Sequence, residues 1–192
     1  MKYIAIIPAR KGSKEIPNKN IKFLAGKPLI CWTIEQAIES KMISKVFVST
    51  DCKKIAKLSK DSGAEVPFIR PYKYSKDNST TESVLLHFIE KMKLSEEDNV
   101  CLLLLQPTSP IRFNDSIDKA IIKFEKENAD SLVSVNKTKN FYWKYDKKAS
   151  PLYSIKKRPM RQKLKSSDII FKENGSIYIT KLHILLKEKN RL

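Results

Sequence analysis

The residues best suited to chemistry follow a short apolar run near the start of the chain. Residues 3–7 have the length of a buried strand, and the segment after them combines turn formers with cations and lacks a helical period. Its candidate residues are Arg10, Gly12, Ser13, Lys14, Lys19 and Asn20. Cationic side chains bind anionic oxygens, and so do backbone N–H groups that a glycine leaves accessible. Ligands of open α/β sheets bind at the carboxyl ends of strands. The loop therefore predicts a polyphosphate site, and a nucleoside triphosphate fits it.

Two common nucleotide-binding motifs are absent from the sequence. It contains neither G-x-G-x-x-G nor G-x-x-x-x-G-K-[ST], so those patterns do not support the phosphate site. With 38 lysines and arginines in 192 residues, the loop can also be interpreted as one more solvated basic segment. The order of residues within the loop is what distinguishes the two interpretations.

That order matches a known pattern. R-x-G-S-K-x-I-P-x-K-N, beginning at Arg10, resembles the signature loop of the cytidylyltransferases that activate sialic acids and related nonulosonic acids as CMP conjugates. Four later segments resemble further motifs of that family, in the same order and at similar spacing. They are Val48-Ser49-Thr50-Asp51, Ile69-Arg70-Pro71, Leu105-Gln106-Pro107-Thr108-Ser109-Pro110-Ile111-Arg112 and Glu173-Asn174-Gly175-Ser176-Ile177-Tyr178-Ile179. Together the five matches span nearly the whole chain.

The resemblance assigns residues to the nucleotide side of the site. It implies that Arg10 and Lys19 act as the catalytic charges on the triphosphate of CTP, and that Arg70 and residues 77–81 border the cytidine. The full nucleotide-binding set is Arg10, Gly12, Ser13, Lys14, Lys19, Asn20, Arg70, Asp77 and Thr80. The residues alone leave another interpretation open, with Arg70 in a pre-proline turn and residues 77–81 as the N-cap region of a helix.

The resemblance also implies a set of residues that contact the sugar acid. The set is Gln106, Arg112, Arg161, Asn174 and Tyr178. A guanidinium such as that of Arg161 suits bidentate binding of the substrate carboxylate. Two structural interpretations remain open beside these roles: residues 107–110 as a rigid turn, and Asn174-Gly175 as a hairpin turn.

The implied reaction is attack by the anomeric hydroxyl of a nonulosonic acid on the α-phosphorus of CTP, with release of pyrophosphate. The family implies Mg²⁺ as cofactor, bridging phosphate oxygens. Its members carry an acidic D-x-D metal segment after the last strand, and this chain ends at Leu192 without such a pair, so no metal ligand is predicted. The alternative function is a truncated, inactive homologue that binds CTP or pairs with a partner subunit. The resemblance does not distinguish sialic acid from Kdo, legionaminic or pseudaminic acid.

A basic segment, residues 136–168, interrupts the regular pattern of the chain and is called the basic arm below. Its lysines and arginines interleave with aromatic residues, which also suits binding of single-stranded nucleic acid. The net charge of +17 is spread over almost every segment rather than along one stripe, so we expect no nucleic-acid partner. By resemblance, the basic arm builds a homodimer.

Composition sets the broad class of protein. A length of 192 residues suits one domain, and 41% hydrophobic with 31% charged residues is typical of a soluble globular protein. No apolar run approaches the roughly 18 residues that span a bilayer, so we expect no membrane partner and a cytoplasmic location. The three cysteines stand far apart without C-x-x-C spacing, which predicts buried free thiols rather than metal ligands.

Alternating strand and helix patterns predict an α/β fold with a doubly wound, mostly parallel sheet. The resemblance implies a Rossmann-like nucleotidyltransferase domain over residues 1–192. The continuous apolar run at 100–105 predicts a central strand buried on both faces. Further strands are predicted at residues 46–48, 66–69, 132–135 and 177–179. Helices are predicted after Pro28, at residues 53–60, after a capping box formed by Ser79 and Glu82, and around residues 117–124.

Overall fold

The computed structural model describes residues 1–13, 15–158, 160–164 and 169–192, and the chain divides into two compact units. One unit comprises Met1–Ser134 together with Gly175–Leu192, and the other comprises Val135–Asn174. Lys14 of the predicted site and residues 159 and 165–168 of the basic arm lie outside the described residues.

The first unit is built on a five-stranded sheet. Its strands are β1 (Lys2–Pro8), β4 (Ile43–Ser49), β5 (Val100–Leu105), β6 (Ser131–Thr138) and β9 (Ile170–Lys181). The order across the sheet is β4-β1-β5-β9-β6. β1 runs parallel to β4 and to β5, whereas β9 runs antiparallel to β5. The prediction of a mostly parallel sheet is therefore confirmed, and the antiparallel β9 makes the sheet a mixed one.

Helices cover both faces of this sheet. They are α1 (Leu29–Glu39), α2 (Lys53–Asp61), α3 (Thr81–Met92), α4 (Ser116–Lys126) and α5 (Leu182–Glu188). One core cluster joins the sheet to α1, α2 and α4, and a second joins it to α3 and α5. Among the described residues, no helix is both long enough and apolar enough to cross a bilayer.

β5 belongs to both core clusters, because successive side chains of a strand point to opposite faces. Leu103 and Leu105 pack in the first cluster, and Leu102 and Leu104 pack in the second. All six of its residues are buried. The prediction of a central strand buried on both faces is confirmed.

Two short hairpins complete the strands. β2 (Phe23–Leu24) pairs with β3 (Lys27–Pro28) ahead of α1, and β7 (Trp143–Asp146) pairs with β8 (Lys148–Pro151) in the second unit. In that second unit the ring of Tyr153 lies 5.0 Å from the ring of Phe141. The guanidinium of Arg158 lies 5.1 Å from the centroid of Phe141, so aromatic and cationic side chains pack together there.

The strand predicted at residues 66–69 is wrong. Only isolated bridges form here: Glu65 pairs with Phe47 of β4, and Ile69 pairs with Thr50, the residue after β4. Pro67 has no N–H to donate to a ladder of hydrogen bonds, so the segment cannot continue as a regular strand.

The capping box predicted at Ser79 and Glu82 is also wrong, although the helix it introduced is present. Thr80 is the N-cap of α3, and its Oγ1 accepts a hydrogen bond from Ser83 N at 3.1 Å. The hydroxyl of Ser79 instead donates to Lys73 O. Glu82, the expected second member of the box, pairs with Arg191.

Candidate functional site

A cavity of about 350 Å³ opens at the carboxyl ends of β1 and β5. Pro8, the last residue of β1, and Gln106, the first residue after β5, both line it. Nine of the predicted site residues, Gln106 among them, line it: Arg10, Gly12, Ser13, Lys19, Asn20, Arg70, Asp77, Thr80 and Gln106. They come from three separate stretches of chain. The parallel pairing of β1 with β5 brings two of these stretches to one edge of the sheet. The third begins at Arg70, whose N–H donates to Thr50 O just after β4, the other parallel neighbour of β1.

The loop after β1 is anchored to the end of β4. Lys11 N donates to Asp51 Oδ1 at 2.8 Å. Asn20 is 7% exposed, and its Nδ2 donates to Arg10 O at 2.9 Å, which closes the loop on itself. The anchoring role of Asp51 was not predicted, although its place in the Val48-Ser49-Thr50-Asp51 motif was the available signal.

The cavity wall carries an excess of positive charge. Among the described residues that line it, Arg10, Lys19, Arg70 and Lys76 are cationic, whereas Asp77 is the one carboxylate. Such a surface favours an anionic ligand. Lys76 was not predicted, although it adjoins Asp77 in a segment that was assigned to the site.

Arg70 is a buried cation in this wall. Its side chain is 3% exposed, Nε donates to Ser75 Oγ at 3.0 Å, and Nη1 has no hydrogen-bond partner in the described part of the chain. Burial lowers the pKa of Arg70 to about 10; the carboxylate of Asp51 acts in the opposite direction, and the charge of Arg10 lowers the pKa further. The guanidinium is therefore charged at neutral pH, and its unpaired donor favours an acceptor supplied by a ligand.

The first turn of α3 forms another wall of the cavity. Thr80, Thr81 and Val84 line it, and Thr80 is also the N-cap of the helix. The N-cap interpretation of this segment is confirmed. Because the backbone N–H groups of a first turn lack partners within the helix, this wall is also suited to polar acceptors.

Gln106 is held close to Gly175 of β9. A Cβ atom built on Gly175 would lie 2.9 Å from Gln106 Oε1, and Gly175 has a φ of +66°. Any larger residue at this position would displace the Gln106 side chain and strain the backbone. Asn174 and Gly175 both lie within β9, so their interpretation as a hairpin turn is wrong.

Two predicted residues of the first unit do not line the cavity. Arg112 lines a separate cavity of about 230 Å³, and its guanidinium donates to four protein acceptors. Tyr178 is 4% exposed and packs in the core cluster of α3 and α5, where the guanidinium of Arg191 lies 4.7 Å from its ring centroid. The alternation of side chains along β9 directs Tyr178 to that face of the sheet.

Two further predicted residues belong to the second unit. Arg161 begins a short 3-10 helix (Arg161–Lys163), with its guanidinium 5.7 Å from the centroid of Phe141. Asn174 Nδ2 donates to Asn136 Oδ1 at 3.2 Å. The binding roles assigned to Arg161 and Asn174 remain predictions, as do those of Arg112 and Tyr178.

The described residues do not fit a resident metal ion. In the parts of the chain that the structure describes, no group of three or more His, Cys, Asp or Glu side chains could hold one. Magnesium in nucleotide sites usually combines one or two carboxylates with phosphate oxygens and waters. An ion at this cavity would therefore depend mainly on oxygens that the nucleotide brings.

Sequence relatives of this chain form a coherent group. The sequence profile of the family described as "Cytidylyltransferase" matches residues 4–182. The CMP-N,N'-diacetyllegionaminic acid synthase of Legionella pneumophila is 34% identical over 193 residues, covering 99% of this chain and 82% of that protein. The N-acylneuraminate cytidylyltransferase of Streptococcus agalactiae is 34% identical over 194 residues, covering 99% of this chain and 46% of that protein. This chain thus spans less than half the length of the streptococcal relative.

A solved structure has the same fold. CMP:2-keto-3-deoxy-manno-octonic acid synthetase, complexed with CTP, superposes with a TM-score of 0.67 at 20% sequence identity. The superposition covers 98% of this chain and 77% of that one. The likeness extends over the whole α/β architecture described above, and the prediction of a Rossmann-like fold is confirmed.

Proposed function

This chain belongs to the cytidylyltransferase family, and we propose that it transfers CMP from CTP to a nonulosonic acid of the sialic type, with release of pyrophosphate. The names of the legionaminic and N-acylneuraminate relatives support this class of acceptor. The observation that carries the proposal is the cationic cavity at the carboxyl edge of the sheet, where Arg10, Lys19 and Arg70 surround a space of about 350 Å³.

The loop after β1 is the proposed triphosphate site. Nucleotidyl transfer depends mainly on positioning and on stabilising charge at the transferred and departing phosphates, which is the role of Arg10 and Lys19. Gly12 supports this role, because no heavy atom of the described residues lies within 4 Å of a Cβ built on it, so phosphate oxygens can approach the backbone. Ser13 and Asn20 complete the site, together with Lys14, which the family resemblance assigns.

The wall formed by Arg70 and the first turn of α3 is the proposed cytidine site. The unpaired, buried Nη1 of Arg70 supplies a donor for a carbonyl or hydroxyl oxygen, and Thr80 offers a further polar group. Val84 lines the same wall and provides apolar contact for the base. Asp77 enters the proposal as the carboxylate that the triphosphate displaces from Arg10.

Gln106 is the proposed contact of this cavity with the acceptor acid. The anomeric hydroxyl attacks the α-phosphorus, the bond to the bridging oxygen of the β-phosphate breaks, and pyrophosphate and one proton leave. Arg161 remains the proposed partner of the acid's carboxylate, because a guanidinium donates two parallel hydrogen bonds to it. Magnesium belongs to the proposal as part of the substrate, bound to triphosphate oxygens as MgCTP.

Pyrophosphate release tests the proposal. The full chain is incubated with CTP and MgCl₂ and with N-acetylneuraminic, legionaminic, pseudaminic or 2-keto-3-deoxy-octonic acid in turn, and pyrophosphate and the CMP conjugate are quantified. We expect turnover with at least one acid and none without acid. Lys19→Ala is expected to lower kcat by about 100-fold, whereas Lys57→Ala, on the exposed face of α2, leaves it unchanged. Absence of product with every acid contradicts the proposal.

Binding of CTP without turnover is the second candidate function. Binding alone needs no side-chain metal ligands, and in the parts of the chain that the structure describes no group of three or more candidate ligands could hold a metal ion. Titration calorimetry with CTP, in the presence and absence of MgCl₂, distinguishes it. Saturable binding by a chain that releases no pyrophosphate supports this second function over the first.

A homodimer is part of the proposal. Among the described residues of the second unit, eight large apolar side chains are exposed: Val135, Trp143, Tyr145, Leu152, Ile155, Met160, Ile170 and Phe171. A concentration of exposed apolar side chains marks a contact surface, and a second copy of the chain is the proposed occupant. Sedimentation equilibrium is expected to give twice the chain mass of 22.2 kDa, with weaker association for Tyr145→Asp. A monomer at all concentrations contradicts the dimer.

We further propose a cytoplasmic location, where CTP is available. The cysteines support it: all three lie in the described ranges and are free thiols, with Cys31 and Cys101 buried and Cys52 half-buried. Free thiols are typical of reducing compartments. Fractionation of the source cells tests this location, and recovery outside the cytoplasm contradicts it.

A further inference from the structure

Arg112 connects four segments of the first unit through its guanidinium. Nη1 donates to Thr33 Oγ1 at 3.2 Å and to Gln36 Oε1 at 3.0 Å, both on α1. Nη2 donates to Gln106 O at 3.2 Å, just after β5, and to Ser176 O at 2.9 Å, in β9. One side chain, from the segment before α4, thus joins a helix, the end of β5 and the middle of β9.

The surroundings of this guanidinium are interior and polar. Thr33 is fully buried, and the Gln36 amide also donates to Pro110 O at 2.8 Å, which fixes the turn that precedes Arg112. Burial lowers the pKa of Arg112 to about 10, so the group stays charged at neutral pH. Its two terminal nitrogens have four acceptors, whereas Nε has no hydrogen-bond partner in the described part of the chain. Loss of any of the four acceptors would be unfavourable for this buried cation.

The two acceptors of Nη2 belong to the residues that set the geometry of Gln106. One is the carbonyl of Gln106 itself, which also accepts from Ser109 N at 3.1 Å. The other is the carbonyl of Ser176, the neighbour of Gly175, against which the Gln106 side chain lies. The guanidinium therefore fixes the spacing between the main chain of Gln106 and the strand that its side chain contacts.

We propose that Arg112 is a positioning residue that holds the end of β5 against β9, so that Gln106 presents its side-chain amide to the cavity. This inference rests on the proposed function, in which Gln106 contacts the acceptor acid. It replaces the direct substrate contact that the family resemblance implied for Arg112. Arg112 acts on the acid only through Gln106.

Arg112→Lys separates positioning from charge. A lysine keeps the positive charge but cannot reproduce two parallel pairs of hydrogen bonds from a planar group. The Gln106 and Ser176 carbonyls then lose their shared donor, and the Gln106 amide is displaced. Misplacement of a contact group by about 1 Å lowers catalytic efficiency by on the order of 10- to 100-fold.

A double-mutant cycle tests the proposal. We compare kcat/KM for the acceptor acid, the KM for the acid and the Kd for CTP in wild type, Arg112→Lys, Gln106→Ala and the double variant. We expect each single variant to reduce kcat/KM, the double variant to be no worse than Gln106→Ala, and the Kd for CTP to stay within about twofold. Multiplication of the two single effects in the double variant overturns the proposal, because it indicates an independent contact of Arg112 with the acid.

Arg191→Lys is the matched control for loss of an interior guanidinium. Arg191 pairs with Glu82 of α3 and lies over Tyr178, away from the Gln106 main chain. Arg191→Lys is expected to lower thermal stability as Arg112→Lys does. In a double variant with Gln106→Ala, however, the two fold-reductions in kcat/KM are expected to multiply, as independent effects do. Equal coupling of both arginines to Gln106 assigns the effect to general destabilisation and overturns the proposal.

A second readout does not depend on turnover. The side-chain amide signals of Gln106 are identified in a nitrogen-15 correlation spectrum by their loss in Gln106→Ala. We expect Arg112→Lys to shift them and Arg191→Lys to leave them in place; unchanged signals in Arg112→Lys overturn the proposal. A wild-type chain without pyrophosphate release contradicts the proposed function alone, and this spectrum still decides the role of Arg112.

Discussion

Arg10 and Asp77 form an ion pair, with 2.8 Å between Arg10 Nη1 and Asp77 Oδ1. Both residues line the cavity at the carboxyl ends of β1 and β5, and their side chains are 33% and 49% exposed. Arg10 belongs to the loop after β1, and Asp77 belongs to the segment before α3. A triphosphate that binds Arg10 therefore competes with a carboxylate for the same guanidinium.

Asp77→Asn is expected to tighten CTP binding. The change removes both the competitor for Arg10 and a negative charge that repels the triphosphate. Because the pair is partly exposed and screened, the gain is modest, about two- to fivefold in Kd, and it shrinks as salt concentration rises. Titration calorimetry at two salt concentrations measures it.

Glu97→Gln is the control for this change of charge. Glu97 is exposed in the loop before β5, at the opposite edge of the sheet from the cavity. Its replacement is expected to leave the Kd for CTP unchanged. Weaker binding by Asp77→Asn contradicts the competition between Asp77 and the triphosphate, and it indicates that the Asp77 carboxylate makes a favourable contact with the nucleotide.

Thr80→Ala is expected to lower the free energy of unfolding by about 1 kcal/mol, because it removes the oxygen that accepts from Ser83 N at the start of α3. Thr80→Ser keeps that oxygen and most of the stability. Ser79→Ala removes a hydroxyl one residue earlier that does not cap the helix, so its loss is smaller. Denaturant unfolding of the three variants decides the matter, and equal losses for Thr80→Ala and Ser79→Ala argue against Thr80 as the cap.

Gly175→Ala and Gly26→Ala form a matched pair. Both glycines have positive φ, +66° and +89°, so each alanine is expected to cost about 1–2 kcal/mol in backbone strain. Around Gly26 the described residues leave open space for a Cβ, whereas at Gly175 the Cβ meets Gln106 Oε1 at 2.9 Å. We expect only Gly175→Ala to raise the KM for the acceptor acid as well. Unfolding and steady-state assays of both variants check this, and an equal KM in the two would show that Gln106 is not displaced.

His87 is expected to make stability depend on pH. The residue is 3% exposed, with its ring 4.4 Å from that of Tyr74 and 5.0 Å from that of Phe68. Both ring nitrogens lack a hydrogen-bond partner in the described part of the chain. Burial is the main cause that lowers the pKa of His87 below 6.5, with nearby lysines and Arg70 acting in the same direction and Glu90 opposing them.

The direction of the effect follows from proton binding. As pH falls below 6.5, His87 becomes protonated in the unfolded chain before it does in the folded chain. The free energy of unfolding is therefore highest above pH 6.5 and declines below it. Because one proton is involved, the free energy of unfolding declines by at most about 1.4 kcal/mol per pH unit. His87→Phe is expected to remove this decline, whereas His183→Phe, at an exposed position of α5, keeps it. Denaturant unfolding from pH 7.5 to 5 measures the slopes, and an unchanged slope in His87→Phe assigns the decline to other groups.

Several elements could be predicted because their signals are local. The apolar run of β5 is continuous, and a strand buried on both faces is the structure that such a run favours. The loop after β1 follows a strand and carries its own cations, so its place at the carboxyl edge of the sheet followed from the order of residues. The segment at 66–69 has the apolar character of a strand, but Pro67 prevents the ladder, and the prediction weighed hydrophobicity above the missing N–H.

The sequence by itself determined the alternation of strands and helices, the family of the chain and the proposal of a polyphosphate site in its first loop, since each rests on neighbouring residues. Only the tertiary structure decided which charges meet. Arg10 and Asp77 stand 67 positions apart, and Arg112 and Ser176 stand 64 apart. Arg112 and Tyr178 are residue types common in binding sites. In the structure, however, Arg112 donates to four protein acceptors, and Tyr178 packs in the core. The direction of a side chain depends on distant partners, which no local pattern contains.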